Sequence, residues 1–82
     1  MTLTEFGACL RSMYDTPGAN KTTMIHLFGV IYADEIKDSG FKPIEILRAA
    51  KMQESYQTEI NKGMRLSQYV QLKPSYKGKF DS

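Results

Sequence analysis

Apolar residues near the start of the chain recur at the three- and four-residue intervals of an α-helix. Thr2 and Glu5 precede and enter this stretch with capping-box spacing, in which each side chain satisfies a backbone N–H group. The apolar stripe consists of Leu3, Phe6, Leu10 and Met13. The pattern predicts a first helix that ends before the turn-forming residues 15–20.

A second, broader apolar face runs through residues 21–39 and predicts the central, most buried helix. Its members are Met24, Leu27, Phe28, Ile31, Tyr32 and Ile36. Gly40 supplies a stop signal. Residues 24–33 are also short, apolar and β-branched enough for a buried strand, so that alternative stays open. The residues that follow, 33–37 (ADEIK), favour the helix, and so does the lack of a second convincing strand.

Two short helices are predicted after Pro43, whose fixed φ suits the first position of a helix. In the third helix, Ile44, Leu47 and Ala50 are expected to face inward. A tight turn at residues 51–53 leads to a fourth helix over about residues 54–62, and Gly63 is expected to be its left-handed cap. A short fifth helix over about residues 66–70 is expected to close the core with Leu66, Tyr69 and Val70.

The third and fourth helices, with their short connection, have the layout of a helix-turn-helix unit. Ala49 and Ala50 are small enough for a close crossing of these helices, Met52 is the expected apolar plug of the turn, and Ile60 seats the second helix on the core. The predicted fold is therefore all-α: a compact bundle of four to five short helices in one domain over residues 1–72. Residues 73–82 are predicted to form an extended basic tail.

Charge is unevenly distributed along the 82 residues. Residues 1–41 carry three Lys or Arg against five Asp or Glu, a net charge of −2, whereas residues 42–82 carry eight against four, a net charge of +4. An anionic partner for the second half and an ordinary solvated surface are both consistent with this asymmetry. Cys9 is the only cysteine, so no internal disulfide can form, which favours the cytoplasm. No signal peptide or membrane span is predicted, because the longest apolar stretch falls short of about 20 residues.

Candidate catalytic and metal-binding chemistry is sparse. His26 is the only histidine and lies in an apolar stretch, which favours a core or boundary position over a metal or acid–base site. Cys9 has no nearby histidine to activate it and is equally well explained as a small, partly buried apolar residue. We therefore predict a non-enzymatic protein with no catalytic residue, no metal, no cofactor and no small-molecule substrate.

The polar side of the fourth helix is the candidate site, because a second helix of this kind can enter the DNA major groove. The predicted base-facing residues are Gln53, Ser55, Gln57, Thr58 and Asn61. The predicted phosphate-binding residues are Lys51, Lys62 and Arg65, with Lys73, Lys77 and Lys79 of the tail. Three features oppose DNA binding: Glu54 and Glu59 lie on the same helix, that helix contains no arginine for the common guanine contact, and Lys51 replaces the usual turn glycine.

Two runs, residues 25–33 (IHLFGVIYA) and residues 55–70 (SYQTEINKGMRLSQYV), resemble a family of small prokaryotic HTH-like domain proteins. The similarity covers residues 3–72. Members of this family occur alone or attached to restriction and defence genes. The resemblance implies a helical fold and a nucleic-acid or defence context, and it carries over no catalytic residue.

Two functional hypotheses follow. The first is a DNA-binding protein, acting as a dimer, in regulation or genome defence. The second is a protein–protein interaction module or a small inhibitor of a defence or phage complex, whose partner contacts the exposed face of the fourth helix through Glu54 and Glu59.

Overall fold

The computed structural model describes residues 1–70, which form four α-helices and one short 3₁₀-helix without any strand. The elements are α1 (Leu3–Tyr14), α2 (Lys21–Ser39), α3 (Pro43–Ala49), the 3₁₀-helix (Glu54–Tyr56) and α4 (Gln57–Leu66). The predicted all-α class is confirmed. The predicted basic tail, with Lys73 and Lys77, lies outside the described residues.

The ends of α1 and α2 are fixed by short-range hydrogen bonds. The backbone N–H of Glu5 donates to Thr2 Oγ1 at 3.1 Å, and the backbone N–H of Thr2 donates to Glu5 Oε1 at 2.8 Å, so the predicted capping box is confirmed. At the start of α2, the backbone N–H of Thr23 donates to Asn20 Oδ1 at 2.9 Å. Gly40 ends α2 with a left-handed φ of 78°. The strand alternative for residues 24–33 is wrong, because α2 is one continuous helix.

The core is built around α2, which packs against α1 on one side and α4 on the other. The large side chains that are fully buried in this core are Phe6, Leu10, Ile25, Phe28, Ile36, Ile46, Leu47 and Ile60. Ile46 and Leu47 of the short α3 face inward, together with Ala50, the residue that caps the end of this helix. This orientation leaves Ile44 at the edge and only partly buried, so its predicted inward position is wrong.

The last helix departs from the prediction at Gly63, which lies inside α4 rather than at its end. The backbones of α2 and α4 cross at Gly29 and Gly63. A Cβ atom built on Gly29 would lie 2.5 Å from the carbonyl oxygen of Ile60, and one built on Gly63 would collide with the carbonyl oxygen of His26. Gly63 is therefore a packing residue, and the predicted left-handed cap is wrong.

The segment after α4 also differs from the prediction. Residues 67–69 form a turn, not a fifth helix. Leu66, Tyr69 and Val70 are 46%, 82% and 45% exposed, so they do not close the core as predicted. Ile60 of α4 performs that role, in agreement with its predicted position.

The two alanines at the end of α3 pack against α1. A Cβ atom on Gly7 would lie 2.8 Å from Ala49 Cβ, which shows how closely these two helices approach. The predicted close crossing at the alanines therefore joins α3 to α1 rather than to α4. Met52 packs against the core from the turn, as predicted for its plug.

Candidate nucleic-acid interface

The helix-turn-helix unit consists of α3, a turn at residues 50–53, and the 3₁₀-helix that leads into α4. The backbone N–H of Met52 donates to the Leu47 carbonyl at 3.0 Å, which closes the turn. Lys51 adopts a left-handed φ of 57° in this turn. The hydroxyl groups of Tyr14 and Tyr56 form a hydrogen bond at 3.2 Å, so the start of the second helix is also tied to α1.

One side of α4 presents a polar stripe to solvent. Gln57, Asn61 and Arg65 are spaced four residues apart, and Thr58 lies beside them. These four predicted site residues line a shallow groove of about 490 Å³ together with Gln68 and Lys37. Lys37 comes from the end of α2 and was not predicted, because nothing in its local sequence places it next to α4.

The other predicted site residues do not join this groove. Gln53 and Lys51 line a separate depression beside α1, together with Arg11. Ser55 is exposed in the 3₁₀-helix. Lys62 is exposed on α4 outside this groove, and its ammonium group donates to Glu59 Oε1 at 3.3 Å. The structure therefore brings four of the predicted residues together and leaves the others around them.

Glu59 is turned away from the polar stripe. Its carboxylate accepts hydrogen bonds from His26 Nε2 of α2 and from Lys62, and its side chain is only 22% exposed. These partners favour the charged form, so the pKa of Glu59 lies below its usual value, chiefly because of the His26 hydrogen bond. The prediction that Glu59 occupies the exposed face of the helix is wrong, because the residue bridges two helices.

Glu54 is also occupied by a partner. Arg48 of α3 donates to its carboxylate from Nε at 2.9 Å and from Nη2 at 3.4 Å. The pair lowers the pKa of Glu54 and raises that of Arg48. Both groups are exposed and remain next to the start of the second helix. The two carboxylates that opposed DNA binding in the sequence are thus both paired with cationic or imidazole groups.

His26 occupies the predicted boundary position, since it is half-buried. Its partner Glu59 was missed because 33 residues separate the two in the chain. The sequence offers one signal for this pair. Glu59 precedes the apolar Ile60 on the helix, which places it near the edge of the buried face.

An exposed apolar surface follows the polar stripe at the end of α4. Leu66 and Tyr69 line a shallow pocket of about 350 Å³, together with His26, Lys62 and Arg65. The pocket therefore combines an apolar floor with two cationic side chains at its rim. Val70 adds a further exposed apolar side chain nearby in the chain.

Residues 1–70 hold neither a cluster of metal-ligating side chains nor a membrane-spanning helix. No three His, Cys, Asp or Glu side chains of this part of the chain are grouped to hold a metal ion. None of its helices is both long enough and apolar enough to cross a membrane. Cys9 is half-buried and packs against the core.

Comparison with protein families identifies the fold unit. The model of a family described as "HTH-like domain" matches residues 2–73. Searches among curated proteins and solved structures give no match. The family match spans nearly the whole chain, so the protein belongs to the HTH-like domain family.

Proposed function

We propose that this HTH-like domain binds double-stranded DNA, as a regulator or in genome defence, with α4 lying in the major groove. The observation that carries the proposal is the composition of the polar stripe. Gln57, Thr58, Asn61 and Arg65 share one groove, and none of the described side chains that line it is a carboxylate. Phosphate oxygens approaching this face would meet no unpaired negative charge.

The stripe carries the side-chain chemistry that reads bases. Gln57 and Asn61 each have an amide that can bond adenine N6 and N7 in bidentate fashion, and Thr58 can donate or accept. The predicted fourth helix ended near residue 62 and contained no arginine. Because α4 continues to Leu66, Arg65 lies within the helix, where its guanidinium group can bind guanine or a phosphate. The bases would thus be read by α4, and phosphates would be held by cations around it.

The length of the stripe fits the groove. From Gln57 to Arg65 the helix advances about 12 Å at 1.5 Å per residue, and the B-DNA major groove is also about 12 Å wide. Cations lie toward both ends of this span in the chain: Lys51 precedes it, and Arg65 ends it. Such a distribution suits a helix that contacts the phosphates on both sides of a groove.

A salt titration tests the proposal. Fluorescence anisotropy with a labelled duplex of mixed sequence should give micromolar binding that weakens with salt. With about three phosphate contacts, log affinity against log salt should have a slope near −3. Absence of salt-dependent binding at micromolar protein would contradict the proposal.

Sequence selection tests the role of the stripe separately. Duplexes selected from a random pool by the wild-type chain should share a preferred base that Asn61→Ala no longer selects, with a loss of about 1–3 kcal/mol of discrimination at that base. Thr22→Ala, an exposed substitution on α2, is the matched control and should select the same sequences. Identical selections by Asn61→Ala and the wild type would remove Asn61 from the base-reading set.

A second candidate function is binding of a protein, and the exposed apolar side chains of Leu66, Tyr69 and Val70 favour it. Three large apolar groups in a run of five residues are typical of a protein contact. The partner that we propose for this surface is a second copy of the chain, as in dimeric DNA-binding proteins.

A further inference from the structure

A second basic surface lies between α1 and the helix-turn-helix turn, outside the polar stripe. Two depressions lie there, of about 470 and 250 Å³, and both are lined by Arg11 and Lys51. Two cations from distant parts of the chain are therefore neighbours. Arg11 belongs to the net acidic half of the sequence, so charge patterning alone gave no reason to assign it a role.

The backbone at Lys51 is strained. Within residues 1–70, Lys51 is the only residue other than glycine with a positive φ, at 57°. A left-handed conformation disfavours a residue with a Cβ atom and is readily adopted by glycine. A lysine at this position therefore reduces the stability of the turn, which points to a role for its side chain. That side chain is exposed and has no ion-pair partner in the described part of the chain.

Arg11 is held in place and keeps free donors. Its Nε donates to Asp15 Oδ2 at 3.0 Å, and its guanidinium lies 5.8 Å from the centre of the Tyr14 ring. The remaining guanidinium N–H groups can donate to another ligand. The Asp15 pair is about half exposed on both sides, and such pairs are weak enough to coexist with a phosphate contact.

We propose that Arg11 and Lys51 form a second binding subsite, for a phosphate of the DNA backbone next to the beginning of α4. This inference rests on the proposed DNA binding and extends it to α1. Lys51 lies three residues before the 3₁₀-helix that leads into α4, and the hydrogen bond between Tyr14 and Tyr56 ties α1 to that 3₁₀-helix. Arg11 and the polar stripe therefore keep a fixed relation, as two contacts on one duplex require.

Lys51→Gly separates the role of the side chain from the stability of the fold. Since glycine relieves the strained φ, the variant should unfold at a midpoint a few degrees higher than the wild type. If Lys51 holds a phosphate, the same variant should bind the mixed-sequence duplex about tenfold more weakly at low salt, and its salt slope should fall by about 1. Arg11→Gln should reduce the slope by a similar amount while α1 stays folded.

Lys42→Gln is the matched control, because Lys42 is exposed and lines neither depression. It should leave the salt slope close to that of the wild type. If Lys51→Gly and Arg11→Gln both keep the wild-type slope of log affinity against log salt, the phosphate subsite is refuted, whereas the proposed DNA binding is not. Failure of the wild-type chain itself to bind the duplex would instead overturn the proposed function.

Discussion

At the scale of single residues, the contact between Glu59 and His26 keeps the carboxylate of Glu59 out of the groove along the polar stripe. The carboxylate of Glu59 bridges α4 to α2 and is also held by Lys62. With Glu59 paired at the junction of the helices, the groove lined by Gln57, Asn61 and Arg65 holds no carboxylate among its described lining side chains. One paired carboxylate therefore changes the electrostatics of the whole candidate site.

The same contact predicts a dependence of stability on pH. The pKa of Glu59 is held below its ordinary value of 4.5 in the fold, so its interactions contribute fully to stability above that pH. Their contribution is lost as the pH falls through the lowered pKa and the carboxylate is protonated. Glu59→Gln should therefore lower the urea midpoint at neutral pH, and its difference from the wild type should shrink as the pH falls below 4.5.

Glu35→Gln serves as the control for the change of charge, since Glu35 is exposed on α2. Urea unfolding followed by circular dichroism at several pH values provides the measurement. A difference between Glu59→Gln and the wild type that stays constant throughout the acid range below pH 4.5 would show that the carboxylate of Glu59 contributes nothing through its charge.

At the scale of secondary structure elements, the crossing of α2 and α4 depends on two glycines. A Cβ atom on Gly63 would lie 3.0 Å from Gly29 Cα and would collide with the His26 carbonyl. Both neighbours are backbone atoms of a helix, which cannot move aside as a flexible side chain does. The separation of the two helices is therefore set by the absence of side chains at these positions.

Gly63→Ala should destabilise the protein, although an alanine is normally the better helix former. Overpacking costs about 1–3 kcal/mol, which outweighs the gain of about 1 kcal/mol in helix propensity. Thermal and urea unfolding measure the change, with Thr22→Ala on the exposed face of α2 as the control. An unchanged or increased stability of Gly63→Ala would refute the close crossing.

These elements also show how far the sequence determines the fold. The bounds of α1 and α2 could be predicted because their caps use residues within four positions of each other. Gly63 could not be interpreted correctly, because a capping glycine and a packing glycine are identical in sequence and differ only in the helix opposite. The same limit applies to the pair of His26 and Glu59, which the fold brings together from 33 residues apart.

At the scale of the whole molecule, the packing of the helices leaves an apolar surface exposed for the dimer contact that we propose. The exposed Leu66, Tyr69 and Val70 at the end of α4 offer the apolar surface for that contact.

Self-association is therefore expected, and sedimentation velocity measures it. The wild-type chain, 9.3 kDa as a monomer, should show a mass that rises with concentration. The double variant Leu66→Ser with Tyr69→Ser should remain monomeric, because both side chains are exposed in the monomer and their loss removes only the contact surface. Ser12→Ala on α1 is the control for an exposed substitution. Equal masses of the wild type and the double variant at all concentrations would exclude this surface.

The interlocked glycines of α2 and α4 have a thermodynamic consequence for any ligand of α4. Since the helix is already docked, association would order few backbone torsions and lose little conformational entropy. The heat capacity change of binding would then reflect the surface that the ligand covers, without the large term that accompanies folding coupled to binding.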